Sequence, residues 1–400
     1  MSRRPATTVI FAGFFLLGML FILWGILLPD IAVDLAMSEL ISGALFTLFS
    51  LGMMIGAIVG GKYASRFDFM QLMAVLMTIN CGLLGVLTVL TAWPGVLGLV
   101  FVIGAVSSAI FTIGHTLIAR MYQEKRFTMM GFMDFMFSLG TLTASFYVTL
   151  VYRYADNWRL PLQCLSAVML LVAIYAFMVA GAQRQHRRAA GHAPEPGQSL
   201  AFKDVLRQPV FLLLALAGFG YGAVEFGNAN WFVSYAQNGI GYSGETARNL
   251  LACFTGGMVL SRLGFALLLR WFSVHRLVVV LASLAVSGTF IIKLSDGIWG
   301  IGGGSLLLGL GLGGLFPLML SAAMSISPEN GPVLSGISII GNATGVQVAS
   351  FTTGWWASFV PLTIAFWVIP MAGVWLWFSA WGYSRLLKRQ PAAPVSAAHG

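Results

Sequence analysis

Long runs of apolar residues, interrupted at fairly regular intervals by short clusters of charged and turn-forming residues, dominate this chain. A helix rising 1.5 Å per residue needs ~20 apolar residues to cross a hydrocarbon layer ~30 Å thick. The runs have that length. They predict six spans at about 8–36, 40–61, 70–92, 95–120, 128–152 and 159–181. Six more follow at about 209–236, 246–269, 276–293, 298–325, 332–356 and 361–384. The first run follows Arg3 and Arg4 and continues from about Thr8 to Leu28, longer than the ~7–15 apolar residues of a signal peptide. It reads as the first membrane helix.

One clearly polar stretch separates the two sets. It carries Arg184, Arg187, Arg188, Lys203 and Arg207 together with Pro194, Pro196 and Gly197, and a short amphipathic helix is expected around Leu200–Leu206. The predicted organisation is a six-helix half over 1–182, a basic linker over 183–208, a second six-helix half over 209–385, and a tail over 386–400. The fold class is therefore an all-α membrane protein with twelve transmembrane helices in two halves.

Composition agrees with this pattern. Hydrophobic residues make up 58% of the 400 and charged residues 9%, against about 25% charged in a soluble domain. The net charge of +9 would fit a nucleic-acid partner if it were concentrated, but it is spread between apolar runs. With the N-terminus inside, the cytoplasmic segments hold Arg3, Arg4, Lys62, Arg66, Arg120, Lys125, Arg126, the five linker residues, Arg270, Arg276, Arg385, Lys388 and Arg389. Left over are Arg153, Arg159, Arg248, Arg262 and Lys293, while Asp34, Glu39, Asp156, Glu245 and Asp296 fall on the opposite side. The positive-inside rule then predicts a multi-pass protein of the cytoplasmic (inner) membrane with both termini in the cytoplasm. Cys81, Cys164 and Cys253 are scattered through apolar segments. They offer neither a disulfide framework nor a metal-ligand pair, and read as small packing residues.

Glycines mark where helices touch. Gly52, Gly56 and Gly60 recur every four residues on the second span, a face on which backbones approach closely. A gating hinge is the sharper alternative. The tenth span is rich in glycine from Gly300 to Gly314 and then carries Pro317. No strand precedes it, so its GxGxxG-like spacing is no dinucleotide fingerprint. It reads as an interrupted helix lining a cavity.

Polar groups inside spans are costly and mark functional candidates. Glu225, Asn228 and Trp231 share one face of the seventh span, with Asn230 beside them. They read as a proton-exchanging carboxyl beside substrate-binding groups. Asp134, Ser138, Thr141 and Ser145 form a second stripe, and Ser108, Thr112 and His115 a third. In the eleventh span Ser335, Ser338 and Asn342 align, with Gln347 beyond them. Each stripe lines a cavity or bonds a neighbouring helix, and His115 is in addition a candidate for ligand or proton handling. Arg262 needs a partner and reads first as a latch onto carbonyls or a carboxylate. Trp93, Trp158, Trp355 and Trp381 lie near span ends as interface anchors, whereas Trp24 and Trp231 lie deep enough to stack on a substrate. No nucleotide-binding loop, Ser-His-Asp arrangement, zinc spacing or paired carboxylates occur, so no catalytic residue, metal or cofactor is expected. The energy source is then an ion or substrate gradient.

Several segments resemble the fucose:proton symporter branch of the major facilitator superfamily, and within it the TsgA-like transporters. They are Gly25-Ile-Leu-Leu-Pro29, Met133-Asp-Phe-Met-Phe-Ser-Leu-Gly140, Gly222-Ala-Val-Glu-Phe226 and Gly313-Gly-Leu-Phe-Pro317. The loop from Gly60 through Arg66 to Asp68 resembles a degenerate form of the superfamily's Gly-x-x-x-Asp-Arg motif, which gives Arg66 a gating role by resemblance. The symporter's first-helix acid falls at Gly25 here and its fourth-helix glutamate at Phe111. Asp134 and Glu225 are then the carboxylates left to carry a proton. The resemblance implies alternating-access symport of a small polar metabolite such as a sugar, with protons, substrate and lipid bilayer as partners and the chain acting as a monomer. Two other readings stand beside it: a proton-driven exporter of amphipathic compounds, whose pocket the 19 methionines would line, and a non-transporting receptor or scaffold.

Overall fold

The computed structural model describes residues 3–63, 67–122, 125–187, 207–269, 271–326 and 331–389. Arg66 and the helix expected around Leu200–Leu206 lie outside them. Six helices come first: α1 (Arg3–Asp34), α2 (Glu39–Tyr63), α3 (Phe69–Leu87), α4 (Trp93–Met121), α5 (Arg126–Tyr152) and α6 (Arg159–Arg187). Then follow α7 (Pro209–Ser234), α8 (Gly244–Leu268), α9 (Val274–Leu294), α10 (Ile298–Gly313), α11 (Leu315–Ile326), α12 (Gly331–Ala357), α13 (Leu362–Ala365) and α14 (Val368–Arg389). α10 with α11 makes one broken span and α13 with α14 another, giving twelve. Ten of the twelve are long and apolar enough to cross a membrane. The other two, α8 and α12, have 25 and 27 residues, above the ~20 required.

The helix ends have local causes. Asp68 caps α3 by accepting hydrogen bonds from the Met70 and Gln71 amides, satisfying donors that have no partner inside the helix. α7 runs into a single π-helical stretch, Tyr235–Ile240, which stops at Gly241 with φ of 90°. Only glycine takes that left-handed conformation without penalty. The predicted break in the tenth span falls between Gly313 and Leu315. Pro317 has no N–H to offer the Gly313 carbonyl four residues back, and that carbonyl is taken instead by Arg262 Nε at 3.3 Å. Ser261 Oγ accepts from the Gly314 amide at 3.1 Å.

The two sets of helices repeat one packing scheme. A β-carbon on Gly52 would overlap the Phe101 carbonyl, and one on Gly104 the Phe49 carbonyl. In the later helices Gly257 stands against Leu306 and Gly309 against Phe254 in the same way. Gly18 against Phe137 and Gly140 against Phe15 are likewise repeated by Gly222 against Asn342 and Gly345 against Phe219. Four contacts thus recur between corresponding helices, as expected of halves related by an axis along the membrane normal. Gly56 and Gly60 continue the α2–α4 seam against Ala105 and Ala109. The glycine ladder is a packing face.

Leucine at Gly52 is therefore expected to lower stability by ~2–3 kcal/mol through overpacking. Leucine at Gly82, where a β-carbon would meet nothing within 4 Å, serves as the control. Thermal unfolding of both variants in detergent checks this; equal midpoints would refute the seam.

Between the halves, α2 packs on α12, α5 on α8 and α1 on α7. The loops carrying Asp34, Glu39, Asp156 and Asp296 mark an acidic face, and the opposite ends, with Arg120, Arg276 and Arg385, a basic face. Near the acidic face a β-carbon on Gly25 would overlap the Ala229 carbonyl, and Gly43 lies against Ser350 and Gly354. The cysteines divide: Cys81 is buried, with its Sγ 3.1 Å from Ser166 Oγ, whereas Cys164 is exposed on the helix surface and packs no core.

Candidate functional site

The intramembrane polar residues gather at three levels between the halves. At mid-depth, α7 presents Glu225, which is 9% exposed. Tyr221, one turn before it, interacts with the Glu225 carboxyl, and the Arg262 guanidinium acts on both from α8. Arg262 also donates through Nη1 to the Asp134 carbonyl at 3.0 Å and to Ser138 Oγ. It thus ties α5 of the first half to α8 and to the α10–α11 break of the second. Arg262 thus donates to two carbonyls and a hydroxyl and also brings a positive charge to Glu225.

Toward the basic face, His115 on α4 meets Asp134 on α5, with Nε2 3.4 Å from Oδ1. His115 Nδ1 lies 3.0 Å from the Phe111 carbonyl. A carbonyl only accepts, so Nδ1 carries a hydrogen. Nε2 is then the nitrogen that faces the Asp134 carboxyl. Phe14 and Phe111 wall the ring, with centroids 5.1 and 4.4 Å from it.

The third level holds the uncharged groups. Asn228 is fully buried, and neither its Nδ2 nor its Oδ1 has a hydrogen-bond partner among the described residues. Trp24 is 1% exposed and its Nε1 is equally unpartnered. The two stand one residue before the Gly25–Ala229 contact of α1 with α7, on opposite sides of the boundary between the halves. On α12 Gln347 Nε2 is also unpartnered, as is Ser338 Oγ further toward the basic face, where its residue packs against Gly218. A buried polar group without a partner costs ~1–3 kcal/mol, so each of these calls for an explanation.

Other candidates are already engaged. Asn230 donates to Ser350 Oγ at 2.9 Å and Trp231 Nε1 to the Ser350 carbonyl at 3.1 Å. Both pin α7 to α12, and Trp231 is fully buried against Phe46 with no face left for stacking. Thr141 donates to the Ser138 carbonyl within its own helix, and Ser138 to the Asp134 carbonyl. This back-bonding removes much of the stripe from solvent chemistry. Asn342 lies on the α12 face that meets Gly218 and Gly222 of α7.

One cluster assembles residues that the sequence left unconnected. Arg248 on α8 is 6% exposed, donates through Nε to Thr149 at 3.0 Å and lies 5.0 Å from the Tyr152 ring. The Tyr152 hydroxyl donates to Asp30 Oδ2 at 2.7 Å. These residues join α1, α5 and α8 near the acidic face. The available signal was that Arg248 breaks the positive-inside pattern.

Comparison with known proteins agrees with this architecture. The family model for the Major Facilitator Superfamily matches residues 9–350. Protein TsgA of Salmonella arizonae is 25% identical over 297 residues, 71% of this chain and 70% of its own length. The glucose/mannose transporter GlcP of Bacillus subtilis is 23% identical over 360 residues, 86% of each chain. Among solved structures, the nucleoside transporter NupG superposes with a TM-score of 0.75 at 12% identity, covering 98% of this chain and all of its own. A bacterial homologue of the human lysosomal transporter Spinster, inward-facing and occupied, gives 0.72 at 16% identity over 97% of both chains. With the family model spanning most of its length, this chain belongs to the Major Facilitator Superfamily, as a multi-pass secondary transporter and not an enzyme.

Proposed function

We propose that the protein is a proton-coupled symporter of a small, uncharged, hydroxyl-rich metabolite such as a sugar, working by alternating access. It sits as a monomer in the cell inner membrane with both termini in the cytoplasm. The observation that carries the reading is Asn228, a buried amide on α7 with both ends unpartnered, together with the unpartnered Trp24 indole on α1, each one residue before the contact of those two helices. An amide offers donor and acceptor together and an indole adds a donor over an apolar face. That combination suits a ring bearing hydroxyls. The names of the relatives point the same way, since GlcP is a glucose/mannose transporter and NupG a nucleoside transporter.

Two carboxyl groups supply proton handling. Glu225 is buried beside Tyr221 and Arg262, and Asp134 lies 3.4 Å from the His115 imidazole. The backbone approaches at Gly25 and Gly43 close the acidic face, while His115 and Asp134 keep 26% and 40% of their side chains exposed. We read this conformation as one open toward the basic, cytoplasmic side.

The test uses proteoliposomes with a pH-sensitive dye inside. Candidates chosen by a thermal-shift screen of sugars, polyols and nucleosides should move protons inward with the substrate gradient. Substrate flux without proton movement would remove the coupling, and outward pumping of amphipathic compounds would reverse the direction. Asn228→Ala is expected to weaken apparent substrate affinity about 10- to 100-fold, the loss of two hydrogen bonds of ~1 kcal/mol or somewhat more each. Unchanged affinity in that variant, read by the same thermal shift, would move the substrate site elsewhere.

A further inference from the structure

At the basic face, α9 and α14 pack side by side and leave a cleft of about 440 Å³ between them. Arg276 contributes from α9, and Trp381, Arg385 and Lys388 from α14. The two walls are joined where Ser384 Oγ donates to the His275 carbonyl at 2.6 Å. No carboxylate lies in this lining, and the ion pairs among the described residues are His115–Asp134 and Arg159–Asp34. Three cations thus share one recess without an acidic partner among the described residues. Arg385 is held in place by stacking, with its guanidinium carbon 3.6 Å from the Trp381 ring centroid.

The face continues into the apolar belt. Phe378, Trp381, Arg385 and Lys388 follow one another at spacings of three and four, so they form one stripe of α14. Phe378 is 59% exposed and, across the cleft, Val280 is 44% exposed. Along this surface the order is apolar, then indole, then cationic. A phospholipid lying against a helix has the matching order of acyl chain, interface and phosphate, and basic pockets between helices on the cytoplasmic side suit anionic head groups.

We propose that the α9–α14 cleft binds an anionic phospholipid, its phosphate held by Arg276, Arg385 and Lys388 and one acyl chain lying along Val280 and Phe378. The site is remote from Asn228 and Glu225 and stands independently of the transported substrate.

The experiment follows the unfolding midpoint of the purified full-length chain in neutral detergent, titrated with short-chain phosphatidylglycerol, with phosphatidylcholine of equal chain length, and with free glycerol phosphate. Phosphatidylglycerol is expected to raise the midpoint while the other two leave it unchanged. In the double variant R385Q/K388Q the concentration needed should rise about 25-fold, roughly 5-fold for each charge removed near the membrane surface. R120Q, a charge loss on the same face but on α4, should respond like the unaltered protein. Three results would overturn the proposal: an equal response to phosphatidylcholine, an equal response to glycerol phosphate, which would make this a soluble-anion site, or an equal loss in R120Q. Should the double variant not fold, salt dependence in the unaltered protein decides. A response to phosphatidylglycerol that persists undiminished at high ionic strength contradicts phosphate recognition by exposed cations.

Discussion

Glu225→Gln is expected to abolish uphill accumulation of substrate while leaving counterflow exchange intact. Glu225 is 9% exposed, with Tyr221 one turn before it and Arg262 reaching it from α8. A charge in the membrane interior costs several kcal/mol unless a partner or water stabilises it. The Glu225 carboxyl therefore changes charge only as its surroundings change, when Arg262 approaches or withdraws and when water enters. In the cycle proposed above, this dependence on conformation is what would couple a proton to alternating access. Glutamine keeps the size and hydrogen-bonding shape of the protonated acid but cannot release a proton. Net proton movement stops, and with it any accumulation above equilibrium. Exchange of substrate for substrate needs no net proton transfer and should continue at a similar rate. Labelled-substrate uptake into proteoliposomes, with an imposed pH gradient and then with substrate preloaded, separates the two activities. Normal accumulation by Glu225→Gln would pass the coupling role to the His115–Asp134 pair, where Asp134→Asn is the variant to measure next.

Gly25→Leu should stop the cycle by a different route. Gly25 is where α1 meets α7 near the acidic face. A β-carbon there would overlap the Ala229 carbonyl and lie 2.9 Å from the Asn230 Cα. These are backbone atoms of a long helix that Asn230 and Trp231 pin to α12, so α7 cannot yield locally. Leucine makes the closed arrangement at the acidic face unfavourable by ~3 kcal/mol or more. A bias of that size moves a two-state equilibrium on the order of 100-fold. The halves remain apart at the acidic face, and transport is expected to fall at least ~10-fold. Access can be read directly. In a background without Cys81, Cys164 and Cys253, a cysteine replacing Ser234 should react faster with a membrane-impermeant thiol reagent from the acidic side once Gly25→Leu is added. Unaltered labelling together with unaltered transport would show that this contact is no gate.

The residues behind these two predictions differ in how visible they were beforehand. Glu225 was legible because a lone carboxyl in an apolar run violates the cost of burying charge, whatever surrounds it. Arg262 was legible as a residue in need of partners, but not as the link from α5 to the α10–α11 break. That link depends on Pro317 freeing the Gly313 carbonyl and on Ser138 arriving from another half of the molecule. Trp231 shows the opposite outcome. A deep indole suggested a stacking platform, yet its N–H bonds the Ser350 carbonyl and the ring is fully buried. Asn228, three residues earlier on the same helix, keeps its amide free. Helical periodicity places residues on a face but does not say what the face meets.

The sequence by itself determined the elements and their class. Run length against membrane thickness set the twelve spans, the spread of Lys and Arg gave an expected orientation, and glycines at four-residue spacing marked a packing face on the second span. These follow from the solvent, because lipid imposes length, apolarity and backbone pairing on each segment separately. Tertiary structure alone decided which polar residues share a site. It joined Arg248, Tyr152 and Asp30 from three helices, set His115 against Asp134, and left Asn228 and Trp24 unpartnered at the boundary between the halves. Those pairings depend on how helices distant in the chain rotate and cross. Without a hydrophobic drive between helices in lipid, small residues and hydrogen bonds far apart in sequence set that geometry.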